Sequence, residues 1–186
     1  YEESVVLYES LRKRFPDDDE LCQSLGLARL WIGDYEEADE ILTELVAKGS
    51  RSDLWVVTLD AMAGSKLSSL EDEAMREILK GYKQQDYKTQ VRLAERLSSV
   101  HRHCDEPQLA LELLRPYTEV DDLRFKLEYG DVLSELARHK EAIAVYQWCV
   151  KQLSAETETI EETELRLRFG DVLHRAKHLD EAQPEY

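Results

Sequence analysis

Tyr129-Gly130-Asp131-Val132-Leu133 and Phe169-Gly170-Asp171-Val172-Leu173 are nearly the same pentapeptide, forty residues apart. Twelve residues after each glycine stands an alanine, Ala142 and Ala182, and the same spacing joins Gly26 to Ala38. Each glycine lies in a run with apolar residues at helical spacing. Each alanine follows two charged residues that open a second such run. The pattern spells one helix hairpin, used repeatedly, and a hairpin that cannot bury its apolar face alone must stack on its neighbours. Two antiparallel helices come close only where a side chain is short. A mid-helix glycine costs about 1 kcal/mol relative to alanine and so needs a packing reason. Gly26, Gly130 and Gly170 are therefore predicted to be helix contact positions, and Gly33 a turn glycine.

From these anchors the repeats can be written out. In the first, Leu21, Cys22, Leu25, Gly26 and Ala28 form the inner stripe of one helix and Gly33-Asp34 the turn. Tyr35, Ala38, Ile41, Leu42 and Leu45 continue the stripe on the next helix. Phe125, Tyr129, Val132, Leu133, Ala142, Val145, Tyr146 and Cys149 repeat it, as do Leu165, Phe169, Val172, Leu173, Leu179, Ala182 and Tyr186. Two less regular hairpins fit between, near a mid-thirties period. One has Ala61 as its small residue and breaks near Gly64-Ser65; the other has Ser98 and breaks around Cys104 to Pro107. The expected organisation is one array, with hairpins at 19–50, 54–80, 91–118, 123–153 and 163–186 after a lone second helix at 1–16. Pro16 followed by Asp17-Asp18-Asp19 marks the first boundary. The chain stops at Tyr186, partway along a helix that contains Pro184. Solenoids need terminal repeats with a polar outer face, so both ends read as cut from a longer repeat protein.

These residues resemble the tetratricopeptide repeat family, whose pattern runs through Leu-Gly, a tyrosine-like position, Ala and an aromatic. Leu25-Gly26, Gly33-Asp34-Tyr35, Ala38 and Leu42 follow it in the first copy, and Tyr129-Gly130, Ala142 and Tyr146 in the fourth. The likeness extends over essentially the whole chain. The first-helix Trp is missing from every copy, and the closing Pro is absent after Leu45 and Cys149. The resemblance implies an all-α solenoid of stacked antiparallel helix hairpins, wound as a right-handed superhelix with first helices on the concave face. It also implies which residues point into that groove. In the first two repeats they are Gln23, Leu27, Leu30, Trp31, Trp55, Thr58 and Met62. In the later ones they are Arg92, Glu95, Ser99, Arg102, Arg124, Leu127, Asp131, Leu167, Asp171 and His174. Such a groove is apolar and aromatic at one end and of mixed charge at the other.

Composition fits a well-packed helical array: 42% hydrophobic, 34% charged, seven Gly and four Pro in 186 residues. A net charge of -16 argues against nucleic acid, whose phosphates are bound by clustered Lys and Arg. The charge is unevenly spread: residues 1–50 carry 13 acidic against 5 basic side chains, residues 51–120 carry 12 against 10, and residues 121–186 carry 15 against 9. Acidic outer helices keep an elongated array dispersed. No stretch approaches the roughly 18 consecutive apolar residues of a membrane span, so direct membrane insertion is not expected. The three cysteines, Cys22, Cys104 and Cys149, are odd in number and lie in different repeats, which favours a reducing compartment such as the cytoplasm. The periplasm stays open because the start of the chain reads as missing. Arg outnumbers Lys and Asn is absent, as in proteins of GC-rich bacterial genomes.

No arrangement of residues points to catalysis, a cofactor or a metal. His101, His103 and Cys104 have no second Cys or His pair at a zinc spacing. Asp17-Asp18-Asp19-Glu20 and Glu71-Asp72-Glu73 open helices, where carboxylates suit the unpaired amides and the dipole. Phosphate-binding glycine loops and nucleophile elbows are absent. The expectation is a protein-interaction scaffold holding a peptide or helix of a partner in its groove, with self-association through uncapped terminal repeats a further route. A docking, regulatory or assembly module of a larger bacterial enzyme or secretion complex, and a signalling-peptide sensor, are the alternatives. Clamping a partner's C-terminal carboxylate, a use that relies on paired Asn and Lys/Arg, is set aside because the chain has no Asn.

Overall fold

Small residues and aspartate caps place the helices. In the computed structural model, which describes residues 2–48, 52–65, 73–152 and 160–176, the regular elements are all helical. They are α1 (Glu2–Arg12), α2 (Asp19–Ile32), α3 (Tyr35–Lys48), α4 (Trp55–Ser65) and α5 (Glu73–Gly81). After these come α6 (Tyr87–His103), α7 (Pro107–Leu114), α8 (Leu123–Glu135), α9 (His139–Gln152) and α10 (Ile160–Arg175). The chain is an all-α helical repeat solenoid. The expected second helix of the last repeat, with Ala182 and Tyr186, lies outside the described residues. Among the described residues, no helix is long and apolar enough to cross a membrane.

Three helices start the same way. Asp18, Asp86 and Asp122 sit at the N-caps of α2, α6 and α8, accepting from the backbone N–H of Leu21 (3.0 Å), Thr89 (3.1 Å) and Phe125 (3.0 Å). Each bond satisfies an amide that the helix leaves without a partner. Thr89 also donates its hydroxyl to Asp86, and these bonds hold the Asp86 carboxyl below its usual range.

The ends of α2 and α8 are alike too. Gly33 is left-handed, with φ 82°; its N–H reaches the Leu30 carbonyl at 3.1 Å and the Asp34 N–H the Arg29 carbonyl at 3.0 Å. This double bond pattern is the Schellman ending. After α8 the same pattern recurs with Ala137 at φ 56°, through Ala137 N–H to Ser134 (3.0 Å) and Arg138 N–H to Leu133 (2.9 Å). Ala137 thus stands where the first repeat has Gly33.

The chain forms two compact units, 1–105 and 106–186. In the first, α2 and α3 form a hairpin, α2, α4 and α6 make one layer, and α3 and α5 lie together on the other side. Leu25, Ala38, Leu42, Leu59, Ala61, Met75, Ile78, Leu93 and Leu97 fill the space between the layers. In the second unit α8 pairs with α9, α7 packs on α8, and α10 packs on α9. Phe125, Leu133, Tyr146, Cys149, Leu165 and Phe169 form its core, with the Tyr146 and Phe169 rings 6.1 Å apart.

Two glycines of the repeat pattern, Gly26 and Gly130, are helix contacts, as the sequence predicts. A side chain at Gly26 would begin 2.9 Å from Leu42, and one at Gly130 would begin 3.1 Å from the Tyr146 ring. Gly170 is buried within α10. Gly64 is the next-to-last residue of α4, which ends at Ser65 where the hairpin break is expected, and the ring of Tyr35 occupies the space a side chain there would need. Gly81 likewise receives the ring of Trp55.

Candidate functional site

The faces of α2, α4 and α6 that the core leaves uncovered form the candidate surface of the first unit. Along α2, burial of Cys22, Leu25, Gly26 and Ala28 leaves Gln23, Leu27, Leu30 and Trp31 partly or largely in solvent. Trp31 is 61% exposed. Along α6, burial of Leu93, Ala94, Leu97 and Val100 leaves Arg92, Glu95, Ser99 and Arg102 outward. Arg92 is exposed and no carboxylate pairs with it among the described residues. Glu95 is engaged by Arg96 at 3.0 Å, and Arg96 also reaches across to Asp60 of α4 at 2.6 Å.

On α4 the expected groove residues turn out to be core. Trp55 is only 3% exposed, and Thr58 and Met62 are buried with it. The buried stripe of α4 runs through Trp55, Thr58, Leu59 and Met62, so the expected groove positions face the core. Val56, Asp60 and Ala63 face outward in their place. The physical reason is the Trp55 ring, which is housed over Gly81; a large aromatic with such a berth gains more by burial than by exposure. Its indole N–H is buried there with no acceptor among the described residues.

In the second unit Arg124 is exposed on the first turn of α8. Asp131, expected in the groove, is instead a joint between helices. Its side chain is 12% exposed, it accepts the Tyr146 hydroxyl from α9, and Arg168 of α10 reaches it at 2.7 Å. Leu127 is half-buried, and Leu167, Asp171 and His174 on α10 are exposed.

Sequence reasoning missed two features of the first unit. At the α2–α3 turn, Ile32 and Tyr35 join Trp31 as exposed apolar residues. The signal was present in the pair of large apolar residues directly before Gly33-Asp34. Arg29, on the buried side of α2, is the other. It is held by Glu9, Asp34 and, at 2.6 Å, Glu37, and so ties α1 to α2 and α3 beside a cavity of about 470 Å³.

No protein-family model matches the chain, and neither does any curated protein. Solved structures do. The chain is similar to MamA from AMB-1, with a TM-score of 0.61 and 17% identity over 88% of this chain and 92% of that one. A second crystal form of MamA gives 0.57 at 17% identity, again over 88% and 92%. YrrB, described as a TPR protein with an unusual peptide-binding site, gives 0.52 at 14% identity over 96% of this chain and 88% of that chain. At such identities the likeness speaks for architecture alone, and that architecture is the stacked helix hairpin of the tetratricopeptide type.

Proposed function

We propose that the protein is a protein-interaction module, with no chemistry of its own, that holds a peptide or helix of another protein on the open face of α2, α4 and α6. The observation that carries this reading is the pairing, on one helix layer, of an exposed Trp31 beside Leu27 with an exposed Arg92 that no carboxylate neutralises among the described residues. Aromatic and arginine side chains supply most hot spots in interfaces, and charged pairs set direction and register. A segment with an apolar end and an acidic end suits the arrangement. The peptide-binding site named for YrrB, a structural neighbour, supports a peptide-like partner. Trp55 and Asp131 have no part in this surface; Gln23, Leu27, Trp31, Arg92, Glu95 and Arg102 remain in it, and Arg124 provides a separate cationic point on the second unit.

Pull-down of a partner followed by charge reversal tests the reading. Arg92→Glu should weaken binding without lowering the melting temperature, whereas Glu112→Lys, at an exposed position of α7, should leave binding intact. Equal loss from both, or loss from Glu112→Lys alone, would move the interface elsewhere.

A further inference from the structure

The turn between α2 and α3 carries apolar side chains that stay partly in solvent. Trp31 is 61% exposed, Tyr35 41% and Ile32 38%. Single apolar residues scattered on a surface are ordinary; three within five residues mark an interaction site. The turn is also held stiff. Its Schellman bonds run from Gly33 and Asp34, the Asp34 carboxylate is paired with Arg29, and the Tyr35 ring is seated over Gly64. Side chains fixed in this way lose little freedom on binding.

Chemistry along the adjoining helix indicates what the turn would receive. Directly after Tyr35, Glu36 and Glu40 stand exposed one turn apart on α3, and no cation pairs with either among the described residues. Like charges at that spacing disfavour a helix, so a cationic visitor relieves them. Their neighbours are occupied: Glu37 by Arg29 and Glu44 by Lys48, each at 2.6 Å. We infer that this turn docks a basic amphipathic segment of a partner protein, an aliphatic or aromatic side chain lying among Trp31, Ile32 and Tyr35 while an adjacent Lys or Arg pairs with Glu36 and Glu40. The inference rests on the reading of the chain as a binding module, but it uses the edge of the hairpin and the acidic flank of α3 rather than the Arg92 face.

Random short peptides displayed on phage and panned against the folded protein test it. The expected winners carry an apolar residue next to Lys or Arg. Synthetic copies should lose about tenfold or more in affinity for Ile32→Ser and for the double variant Glu36→Lys/Glu40→Lys. They should bind Arg92→Glu as they bind the parent. Because Trp31 borders both surfaces, Ile32 and the two glutamates are diagnostic, and the charge-reversed variant carries the test if Ile32→Ser melts early. Acidic winners, or winners lost on Arg92→Glu and retained by the α3 variants, overturn this inference and leave the layer-face reading standing. A library that enriches nothing, or winners indifferent to every variant, overturns it as well.

Discussion

Tyr146 lies against Gly130 of the facing helix and donates its hydroxyl to Asp131, the next residue along. Ring and hydroxyl thus engage two consecutive positions of α8, one by shape and one by charge. Arg168 closes on the same carboxylate from α10, so a single side chain links three helices of the second unit.

The two bonds to Asp131 should differ in worth. A buried hydrogen bond to a charged group contributes about 1.5–3 kcal/mol, whereas a pair involving a side chain as exposed as Arg168, at 40%, contributes under about 1 kcal/mol. Tyr146→Phe should therefore destabilise more than Arg168→Ala in urea denaturation, and Asp131→Ala more than either. The reverse order would mean that Arg168, and not Tyr146, anchors the joint.

Helix contact and turn glycines should respond differently to added bulk. Gly130→Leu forces its side chain into the Tyr146 ring and should cost on the order of 3 kcal/mol in thermal or chemical unfolding. Gly33→Ala places a Cβ in a left-handed turn, where it meets nothing nearer than the Tyr35 ring at 4.0 Å, a cost of about 1 kcal/mol. A larger loss from Gly33→Ala would show that the helices of the second unit separate without penalty.

Ala137 offers the converse. It pays the left-handed strain that Gly33 avoids, so Ala137→Gly should raise stability by about 0.5–1 kcal/mol. An unchanged or lowered melting temperature would argue that the turn after α8 does not hold the conformation found for it.

Burial pushes the Cys149 thiol up to about 11 from an ordinary value of 9.0. The folded state holds the neutral thiol, and the unfolded chain loses that proton first. Stability from this site is therefore intact below about pH 9 and declines as pH rises from about 9 to 11. Cys149→Ala should flatten that part of the pH profile. At neutral pH a disulfide reagent should modify Cys104, which is half-buried, ahead of Cys22 and Cys149. Prompt labelling of Cys149 in the folded protein would contradict its burial.

The two tryptophans of the first unit should separate in acrylamide quenching. Trp31→Phe should remove most of the quenchable emission, and Trp55→Phe should remove emission that the quencher does not reach. Quenching lost with Trp55→Phe would return Trp55 to the open face.

Where a contact is written into neighbouring sequence, the fold was legible. The glycine and alanine of each hairpin are twelve residues apart, and that spacing by itself sets α2 against α3 and α8 against α9. In α4 the run Ala61-Met62-Ala63-Gly64-Ser65 holds a glycine, a poor helix former, one residue before the helix ends. Its reason is Tyr35, on another helix, and the reason for Trp55 is Gly81, beyond α4 altogether. Nothing local announces either pairing, so Trp55, Thr58 and Met62, expected on the open face, lie in the core instead. Asp131 was unreadable for the same cause: its role exists only once α9 and α10 bring Tyr146 and Arg168 together. The exposed Trp31 and Arg92 were accessible from the repeat register, because each belongs to a helix whose buried stripe is unbroken.

Large side chains seated on glycines, Leu42 on Gly26, Tyr35 on Gly64, Trp55 on Gly81 and Tyr146 on Gly130, also govern how such a chain can change over generations. One residue inserted between either partner and its helix neighbours turns the remainder by about 100° and lifts the large side chain out of its notch. Point replacements on the outer surface leave the seat untouched. Related chains should accordingly diverge freely in residue identity while keeping helix lengths constant, with insertions and deletions collected in the segments between helices.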